Sequence, residues 1–372
     1  MILYTLLRPR SLLGRKFSPW RQCLSTSASD PLRILFCGSD EFSCISLKAV
    51  YEEKNQNKKL IESLDVMVLP PKRVGRGYKN IREVPCKVLA EELGLKIHQR
   101  ETFTKWELPE ATNLVIAVSF GLFVPPRILR SAKYGGLNVH PSLLPDLRGP
   151  APIHHAILRG HRCTGVSLQT LDDKAFDHGT VLAQTPYPGI PIPLGSTVQE
   201  LTNQLAPIGA QMLVQGLRDG VYLSPRQPAG WKAKELDGEE LVHAPKVSKA
   251  DGQVDWAQWT TEDFARRTRV LGSVWTRAVN KKGDVKRLII QDAEAVPADA
   301  PPTNGLALSF VQNMGQDSED SPHESLVSDI GDGSCLIQLT NGERIRVKRV
   351  KEEGKPDRDA AVVFKSYSKQ RE

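Results

Sequence analysis

The feature that most constrains this chain is a polar pair at the end of an apolar strand, in residues 137–140 (Leu-Asn-Val-His). Because side chains at positions i and i+2 of a strand share a face, Asn138 and His140 are predicted to project side by side. Pro141 has no N–H to donate, so it ends the strand, and the loop that follows cannot be regular structure before Pro152. Open α/β folds place their chemistry at the carboxyl ends of strands. The pattern therefore indicates a polar site there, and an ordinary solvated histidine in a proline-rich loop is the alternative.

Short apolar runs at residues 33–37, 65–69 and 114–118 predict further strands buried in a parallel sheet. Gly38 follows the first run, and Ser39-Asp40-Glu41 then supplies residues that favour a helix start. This alternation predicts an α/β fold with a doubly wound, mostly parallel sheet of the Rossmann-like class. Gly38 stands alone where a dinucleotide fingerprint requires G-x-G-x-x-G, which argues against a nicotinamide-dependent enzyme.

Length, charge and cysteine content narrow the class of protein. The chain has 372 residues, enough for two domains, and a formal net charge of +7, which suits an anionic partner. Its six cysteines form no C-x-x-C pair, so they are read as reduced thiols and no metal site is predicted. No segment approaches the roughly 20 apolar residues that span a bilayer, so no membrane partner is expected.

Residues 1–31 differ in composition from the rest of the chain. The segment contains no acidic residue before Asp30, is rich in Arg and Ser, and carries several leucines. This composition is typical of a mitochondrial transit peptide and predicts localisation to the mitochondrial matrix, with cleavage before Leu32. A basic tail without structure is the alternative.

A basic loop follows the second predicted strand, at residues 70–79. Lys72, Arg73, Arg76 and Lys79 lie there together with two glycines. Such a loop suits contact with a phosphate backbone. The alternative is a solvated surface loop.

The remainder of the chain has a separate character. After the first domain, predicted at residues 32–225, a polar linker at 226–243 leads to a domain at 244–372 with short strands and an Asn-Gly hairpin signal, which predicts a small OB-like β-barrel. Residues 297–332 are polar and acidic without Lys or Arg, and are predicted to be a disordered insertion.

Three cations of the last long strand, Arg344, Arg346 and Lys348, fall on one face because their spacing is two residues. A basic strand face suits contact with phosphates. The alternative is an edge strand that uses charge to prevent pairing with other chains.

The central motif resembles the signature of the folate-dependent formyltransferases. The matching residues are Asn138-Val139-His140, Ser142-Leu143-Leu144-Pro145, Arg148-Gly149 and Ala151-Pro152-Ile153. The fixed spacing of this long motif identifies the chain as similar to members that formylate initiator methionyl-tRNA.

The resemblance implies a catalytic triad of Asn138, His140 and Asp177. Asp177 matches the family's aspartate in an Asp-x-Gly after a Thr-Gly-Val strand, although the loop is one residue longer than usual and Asp172 or Asp173 could be mistaken for it. By this resemblance Asn138 and His140 donate to the formyl oxygen, and Asp177 acts as the base and orients His140.

The same resemblance implies a co-substrate and a partner. The co-substrate is 10-formyltetrahydrofolate, without a metal, and the partner is initiator methionyl-tRNA, bound by a monomer. The folate pocket is expected at Phe120, Gly121, Leu122, Ser142, Leu143, Leu144 and Pro145. The tRNA is expected at Lys72, Arg73, Arg76, Lys79, Lys246, Lys249, Arg344, Arg346 and Lys348.

Two kinds of alternative function stay open. Formyltransferases that act on glycinamide ribonucleotide share the triad but lack a basic barrel after a linker, and the transit peptide further favours organellar translation. Formyltransferases that act on sugar nucleotides share the first domain, and the triad alone does not exclude them. A non-catalytic RNA-binding scaffold is a different class, which a formylation assay would separate.

Overall fold

The computed structural model describes residues 29–74, 80–235, 241–296, 306–311 and 322–368. Within them the first domain alternates strands and helices, as the sequence predicts. Its elements are β1 (Leu32–Gly38), α1 (Glu41–Gln56), β2 (Ile61–Val68), β3 (Lys72–Val74), β4 (Asn80–Arg82), α2 (Pro85–Glu92), β5 (Lys96–Gln99), β6 (Leu114–Val118), α3 (Pro126–Ser131), β7 (Gly136–His140), α4 (Pro152–Leu158), β8 (Cys163–Thr164), β9 (Ser167–Thr170), β10 (Val181–Gln184), β11 (Ile190–Pro191) and α5 (Val198–Arg218).

Seven of these strands form one sheet in the order β10-β9-β7-β6-β1-β2-β5. The five strands from β7 to β5 are parallel, whereas β9 pairs with β7 in the antiparallel sense and β10 with β9. The predicted doubly wound, mostly parallel sheet is confirmed. Because β6 lies between β1 and β7, the carboxyl ends of these three strands meet at one edge.

Both faces of the sheet are covered by apolar side chains. Successive residues of β1 alternate between the two cores: Ile34 and Phe36 pack with α1 and α5, whereas Leu35 and Cys37 pack on the opposite face. A fully buried side chain of this size contributes about 1.5–3 kcal/mol to folding. A strand that is buried on both faces needs apolar residues at successive positions, as β1 has from Ile34 to Cys37.

The chain beyond α5 stays on the first domain before it enters the second. Trp231, beside the short helix α6 (Lys232–Glu235), donates from Nε1 to the carbonyl of Thr185 at 2.6 Å, and Arg226 donates to the carbonyl of Tyr134 at 2.9 Å. These two bonds attach residues 226–235, the first part of the predicted linker, to the sheet domain.

The second domain contains a 3-10 turn (Ala250–Gly252) and α7 (Thr261–Leu271), followed by a barrel and a terminal helix. Its strands are β12 (Val274–Val279), β13 (Val285–Ala295), β14 (Leu306–Val311), β15 (Pro322–Asp329), β16 (Cys335–Gln338), β17 (Arg344–Glu352) and β18 (Asp357–Asp359), and the helix is α8 (Ala360–Phe364). β13 pairs with both β12 and β17, which closes six antiparallel strands into a barrel, and β18 adds to β17. The predicted small barrel is confirmed.

The prediction of a disordered insertion at 297–332 is wrong where the structure describes that segment. Residues 306–311 and 322–329 form β14 and β15, two walls of the barrel. Leu308 and Phe310 are fully buried, and the Phe310 ring stacks on Trp256 with centroids 4.0 Å apart. The acidic composition of the whole segment hid a local alternation that buries one strand face.

The two domains meet along the proline-rich loop that follows β7. Leu147 donates its backbone N–H to Val242 at 2.8 Å, and Ala244 donates to Arg148 at 2.7 Å. Gly149 has φ +122°, and a Cβ there would lie 2.5 Å from the carbonyl oxygen of Ala244. Glycine is required at this position because the two segments approach so closely.

Candidate active site

A cavity of about 700 Å³ opens where β1, β6 and β7 end. Its walls come from the start of α1, the turn after β6, the loop after β7 and the loop between β9 and β10. All three members of the predicted triad line this cavity: Asn138, His140 and Asp177.

Asn138 is held at the rim by the register of three strands. Its Nδ2 donates to the carbonyl of Ala117 on β6 at 2.8 Å, and its Oδ1 accepts from Nε2 of Gln169 on β9 at 3.0 Å. A carboxamide carries two N–H donors, and the Ala117 bond occupies one of them. The second donor is the group that a bound carbonyl oxygen can use.

His140 is 5% exposed and lies between two oxygen acceptors. Its Nε2 is 3.0 Å from the carbonyl oxygen of Leu147, and its Nδ1 is 3.4 Å from Oδ1 of Asp177. Because a carbonyl oxygen only accepts, Nε2 carries the proton. In this arrangement Nε2–H is bonded to the loop, so donation from His140 to a formyl oxygen requires this loop contact to change.

Asp177 reaches the site from a tight turn in the loop between β9 and β10. Its Oδ2 accepts from the backbone N–H of Gly149 at 3.0 Å, and its Oδ1 accepts from Gln169 at 3.1 Å. The residue has φ +59°, and Gly179 leaves no room for a side chain, because a Cβ there would lie 1.8 Å from the carbonyl oxygen of Thr170. Uncommon backbone conformations such as this one are concentrated at functional sites, which supports a role for the turn in placing Asp177.

The two other candidate acids have different roles. Oδ1 of Asp172 accepts the backbone N–H groups of Lys174 and Ala175, each at 2.9 Å, and these bonds hold the pKa of the Asp172 carboxyl below its usual range. Asp173 forms an exposed ion pair with Arg130 at 3.1 Å. Of the three, Asp177 is the carboxylate that contacts His140.

Burial in the cavity also shifts the pKa values of two charged groups beside the triad, Arg148 and Asp40. Burial lowers the pKa of the Arg148 guanidinium, while the Asp177 carboxylate opposes that shift, and Nε of Arg148 donates to the Asp177 carbonyl at 2.9 Å. Burial raises the pKa of Asp40, which lines the cavity and caps α1 by accepting from Ser43.

Gln169 is the site residue that sequence reasoning missed. It lies directly opposite Asn138 in the antiparallel pairing of β7 and β9, and it is 1% exposed. The signal in the sequence was a polar glutamine between Leu168 and Leu171, in the strand that follows the Thr-Gly-Val residues. The antiparallel register that brings it to Asn138 was not predictable from local spacing.

The predicted folate-contacting residues divide into two groups. Phe120, Gly121 and Leu122 line the cavity. The second group, Ser142, Leu143, Leu144 and Pro145, lies outside its lining.

The 142–145 loop is held by bonds within the protein, and its contact with folate stays a prediction. Ser142 donates from Oγ to the carbonyl of Asp146 at 2.7 Å and accepts at its own carbonyl from Ser167 at 2.7 Å. Leu143 and Leu144 are buried.

The predicted tRNA-contacting cations also divide. Arg73, Lys246 and Lys249 are exposed. Arg76, Lys79 and the side chain of Lys72 lie outside the described residues.

The basic face of β17 carries ion pairs with acids, and its contact with phosphates stays a prediction. Lys348 lies 2.7 Å from Glu294, and Arg346 contacts both Glu294 and Asp332. Arg344 on the same strand also has a partner. β17 pairs with β13, β16 and β18, so the alternative of an edge strand is wrong.

The described residues contain no group of three or more His, Cys, Asp or Glu side chains placed to hold a metal ion. None of their helices has the length and apolarity that crossing a bilayer requires.

Comparison with known proteins places this geometry in a family. Residues 32–217 match the Formyl transferase family model, which covers the sheet domain and all three triad positions. Similar proteins named mitochondrial methionyl-tRNA formyltransferase occur in Bos taurus (32% identity, 70% of this chain, 66% of the relative) and Saccharomyces cerevisiae (32%, 69% and 74%). The chain belongs to the formyl transferase family. The resemblance carried by the central motif is confirmed.

These matches cover only part of each relative. The chain spans 66% of the length of the bovine relative and 61% of that of the human relative, to which it is 30% identical. A sugar 3N-formyl transferase structure matches with a TM-score of 0.50 and 14% identity, covering 88% of this chain and 100% of that one. An N-formyltransferase from Helicobacter canadensis also gives 0.50, at 13% identity. These structures support the fold.

Proposed function

We propose that this chain transfers the formyl group of 10-formyltetrahydrofolate to the α-amine of initiator methionyl-tRNA. The observation that carries the proposal is the convergence of an amide, an imidazole and a carboxylate on one cavity wall, in a member of this family. Asn138 and His140 come from β7, whereas Asp177 comes from a loop 37 to 39 positions further along the chain.

The cavity suits a ligand of folate size and character. Its volume of about 700 Å³ falls within the range of small-molecule sites, and its walls include apolar residues such as Phe120, Leu122 and Val139. The bound folate would supply a formyl carbon activated by attachment to nitrogen. Polar side chains at one end of an apolar cavity would orient that group toward the triad.

Asn138 is proposed to stabilise the charge that develops on the formyl oxygen. Its unoccupied N–H is held by the bonds to Ala117 and Gln169, so little reorganisation is needed when charge appears. Such a preorganised donor is typically worth about 100- to 1000-fold in rate.

Asp177 is proposed to accept the proton that leaves the attacking amine. An α-amino group has a pKa of about 7.7–8.0 in model compounds, so a useful fraction is neutral at physiological pH. The Gly149 N–H and Gln169 hold the carboxylate, and His140 at 3.4 Å can take part in moving the proton.

The acceptor is proposed to be a tRNA held by cations on both domains. Arg73, Lys246 and Lys249 are exposed and can contact phosphates, and Arg76 and Lys79 of the basic loop are proposed to join them. The relatives' names support methionyl-tRNA as the acceptor rather than glycinamide ribonucleotide or a sugar nucleotide. A monomer would suffice, because the triad lies within one chain.

The mitochondrial matrix is the proposed location, since several relatives are named mitochondrial.

The transit peptide is proposed to end before Ser29 rather than before Leu32. Ser29 lies 3.2 Å from the Tyr222 hydroxyl, and the backbone of Asp30 donates to Tyr134 at 3.0 Å. Residues 1–28 lie outside the described structure.

The decisive experiment incubates the protein with labelled 10-formyltetrahydrofolate and three acceptors in parallel: charged mitochondrial methionine tRNA, glycinamide ribonucleotide and an amino-sugar nucleotide. Label is expected on methionyl-tRNA. Transfer to either small acceptor in preference to the tRNA would contradict the acceptor assignment. No transfer to any acceptor would favour the non-catalytic scaffold.

A further inference from the structure

We propose that Gln169 is a positioning residue that holds Asn138 and Asp177 in one fixed arrangement; this role rests on the proposed formyl transfer. A single atom makes the connection. Nε2 of Gln169 donates to Oδ1 of Asn138 at 3.0 Å and to Oδ1 of Asp177 at 3.1 Å. The two groups come from β7 and from the loop between β9 and β10, and Gln169 bonds to both.

The hydrogen bonds determine which way each amide faces. The carbonyl of Ala117 can only accept, so the Asn138 nitrogen faces it and the Asn138 oxygen faces Gln169. Gln169 must therefore present its nitrogen. The same nitrogen then meets the carboxylate of Asp177, which accepts when it is ionised.

This orientation leaves a polar atom unsatisfied. Oε1 of Gln169 is buried and has no hydrogen-bond partner among the described residues. A reversed amide would place Oε1 against two acceptor oxygens instead. A buried acceptor without a partner is rare in folded proteins, and its retention beside a catalytic cavity indicates that the two bonds from Nε2 serve the site.

The consequence for the reaction follows from the positions of the two partners. Donation to Asp177 fixes the orientation of the carboxylate that is proposed to accept a proton. Donation to Asn138 fixes the direction of its remaining N–H. Loss of Gln169 should therefore impair both groups at once and leave substrate binding largely intact.

The test uses the full chain with two substitutions of similar volume. Gln169→Met removes both donated bonds, and Gln169→Glu replaces the donor with a third acceptor beside Asp177. The control is Gln184→Met on the neighbouring strand β10. It also removes two donated bonds, to Leu144 and Ser167, together with two bonds accepted from the backbone of Trp231 and Lys232, but Gln184 bonds to neither Asn138 nor Asp177.

We expect Gln169→Met to lower kcat about tenfold or more with less than about threefold change in either KM. Gln169→Glu should lower kcat further, because a second carboxylate then lies beside Asp177. Gln184→Met should lower Tm with kcat nearly unchanged.

The other charged and titratable side chains that share the cavity with Asp177 are unchanged in every variant. They are Asp40, His140, Arg148, His154, Asp172, His178 and His243.

A second readout does not depend on turnover. In protein labelled with ¹⁵N at asparagine, the side-chain amide resonances of Asn138, assigned by their loss in Asn138→Ala, should shift in Gln169→Met and stay unchanged in Gln184→Met, because only the first variant removes the bond to Oδ1 of Asn138. Unchanged kcat and unchanged Asn138 resonances in folded Gln169 variants would overturn the inference, and so would failure of both variants to fold. A wild type that transfers no formyl group while the Asn138 resonances still shift in Gln169→Met would contradict the proposed function alone.

Discussion

Each polar side chain of the site is held by groups that come from another part of the chain. The backbone of Ala117 fixes Asn138, that of Leu147 fixes His140, and that of Gly149 fixes Asp177. Backbone groups cannot rotate away as side chains can, so the site is preorganised by the sheet and its loops. At the scale of the residue, catalysis should therefore depend on the identity of each side chain and on the turns that deliver it.

Replacing Asp177 with Asn tests the proposed base, because the substitution retains the shape of the side chain and removes its ability to accept a proton. We expect kcat for formyl transfer to fall by about 100-fold or more, with Tm nearly unchanged. Asp173→Asn is the control, since that carboxylate lies in the same loop but pairs with Arg130 on the surface. Equal kcat values for the two variants would remove Asp177 from the proposed mechanism.

Replacing Gly179 with Ala tests the turn that carries Asp177. The added Cβ would lie 1.8 Å from the carbonyl oxygen of Thr170, so the turn must move. We expect a loss of about 1–3 kcal/mol in the free energy of unfolding, measured by denaturant titration, together with reduced kcat. Gly252→Ala is the control because the new Cβ would meet its nearest neighbour at 3.4 Å, an ordinary contact, and a Gly179 variant as stable and active as this control would contradict the steric argument.

At the scale of the element, helices α1 and α5 pack side by side on one face of the sheet and are joined by a charged pair. Arg218 near the end of α5 donates to both carboxylate oxygens of Glu53 on α1, at 3.1 and 2.5 Å. Glu53 is 3% exposed, and the Arg218 bonds hold the pKa of its carboxyl below the usual range. α5 begins with a capping box between Thr197 and Glu200, which satisfies the N–H groups of its first turn.

Glu53→Gln should make the stability of the sheet domain less dependent on pH. A carboxyl whose pKa is lowered by folding contributes stability above its unfolded value, here 4.5, and this contribution is lost as pH falls through the folded value. We expect the variant to lose about 1 kcal/mol at pH 7, a small value because Arg218 is half exposed, and to approach the wild type below pH 4.5.

Unfolding titrations at several pH values would measure this difference. Glu52→Gln changes the charge of an exposed neighbour on the same helix and serves as the control. A deficit of Glu53→Gln that stays constant from pH 7 to pH 3 would show that charge pairing is not its cause.

At the scale of the whole molecule, charge is distributed differently from what the net value of +7 suggests. The basic face of β17 is neutralised by acids from β13 and from the turn before β16, through Glu294 and Asp332. Lys246 and Lys249, near the junction of the two domains, are exposed, and no salt bridge forms there within the described part of the chain. A nucleic acid is therefore expected to meet the junction before it meets the barrel face.

Replacing Lys246 and Lys249 with Gln should raise KM for methionyl-tRNA and reduce the dependence of that KM on salt, while KM for the folate stays the same. Each phosphate contact removed should lower the slope of log affinity against log salt by about 0.7–0.9. Arg346→Gln is the comparison, expected to lower barrel stability with little effect on either KM. The opposite ranking would return the phosphate contact to β17.

Much of the fold was predictable from local sequence because its cause is local. The run 114–118 has no polar residue and forms β6 with all five side chains buried. The residues Ser39-Asp40-Glu41 predicted a helix start after β1, and Asp40 is the residue that caps α1. β14 was missed, since its alternation is short and lies within an acidic segment. The family motif supplied the residues of the triad.

The sequence by itself determined which strands could be buried and that Asn138 and His140 share one strand face, because side-chain alternation is a property of the backbone. Tertiary structure alone decided that Gln169 stands opposite Asn138, that the carbonyl of Ser142 is bonded to Ser167, and that Glu294 pairs with Lys348 of β17. Register between strands and pairing between distant charges depend on segments that meet only after folding. Local patterns therefore carry no record of them.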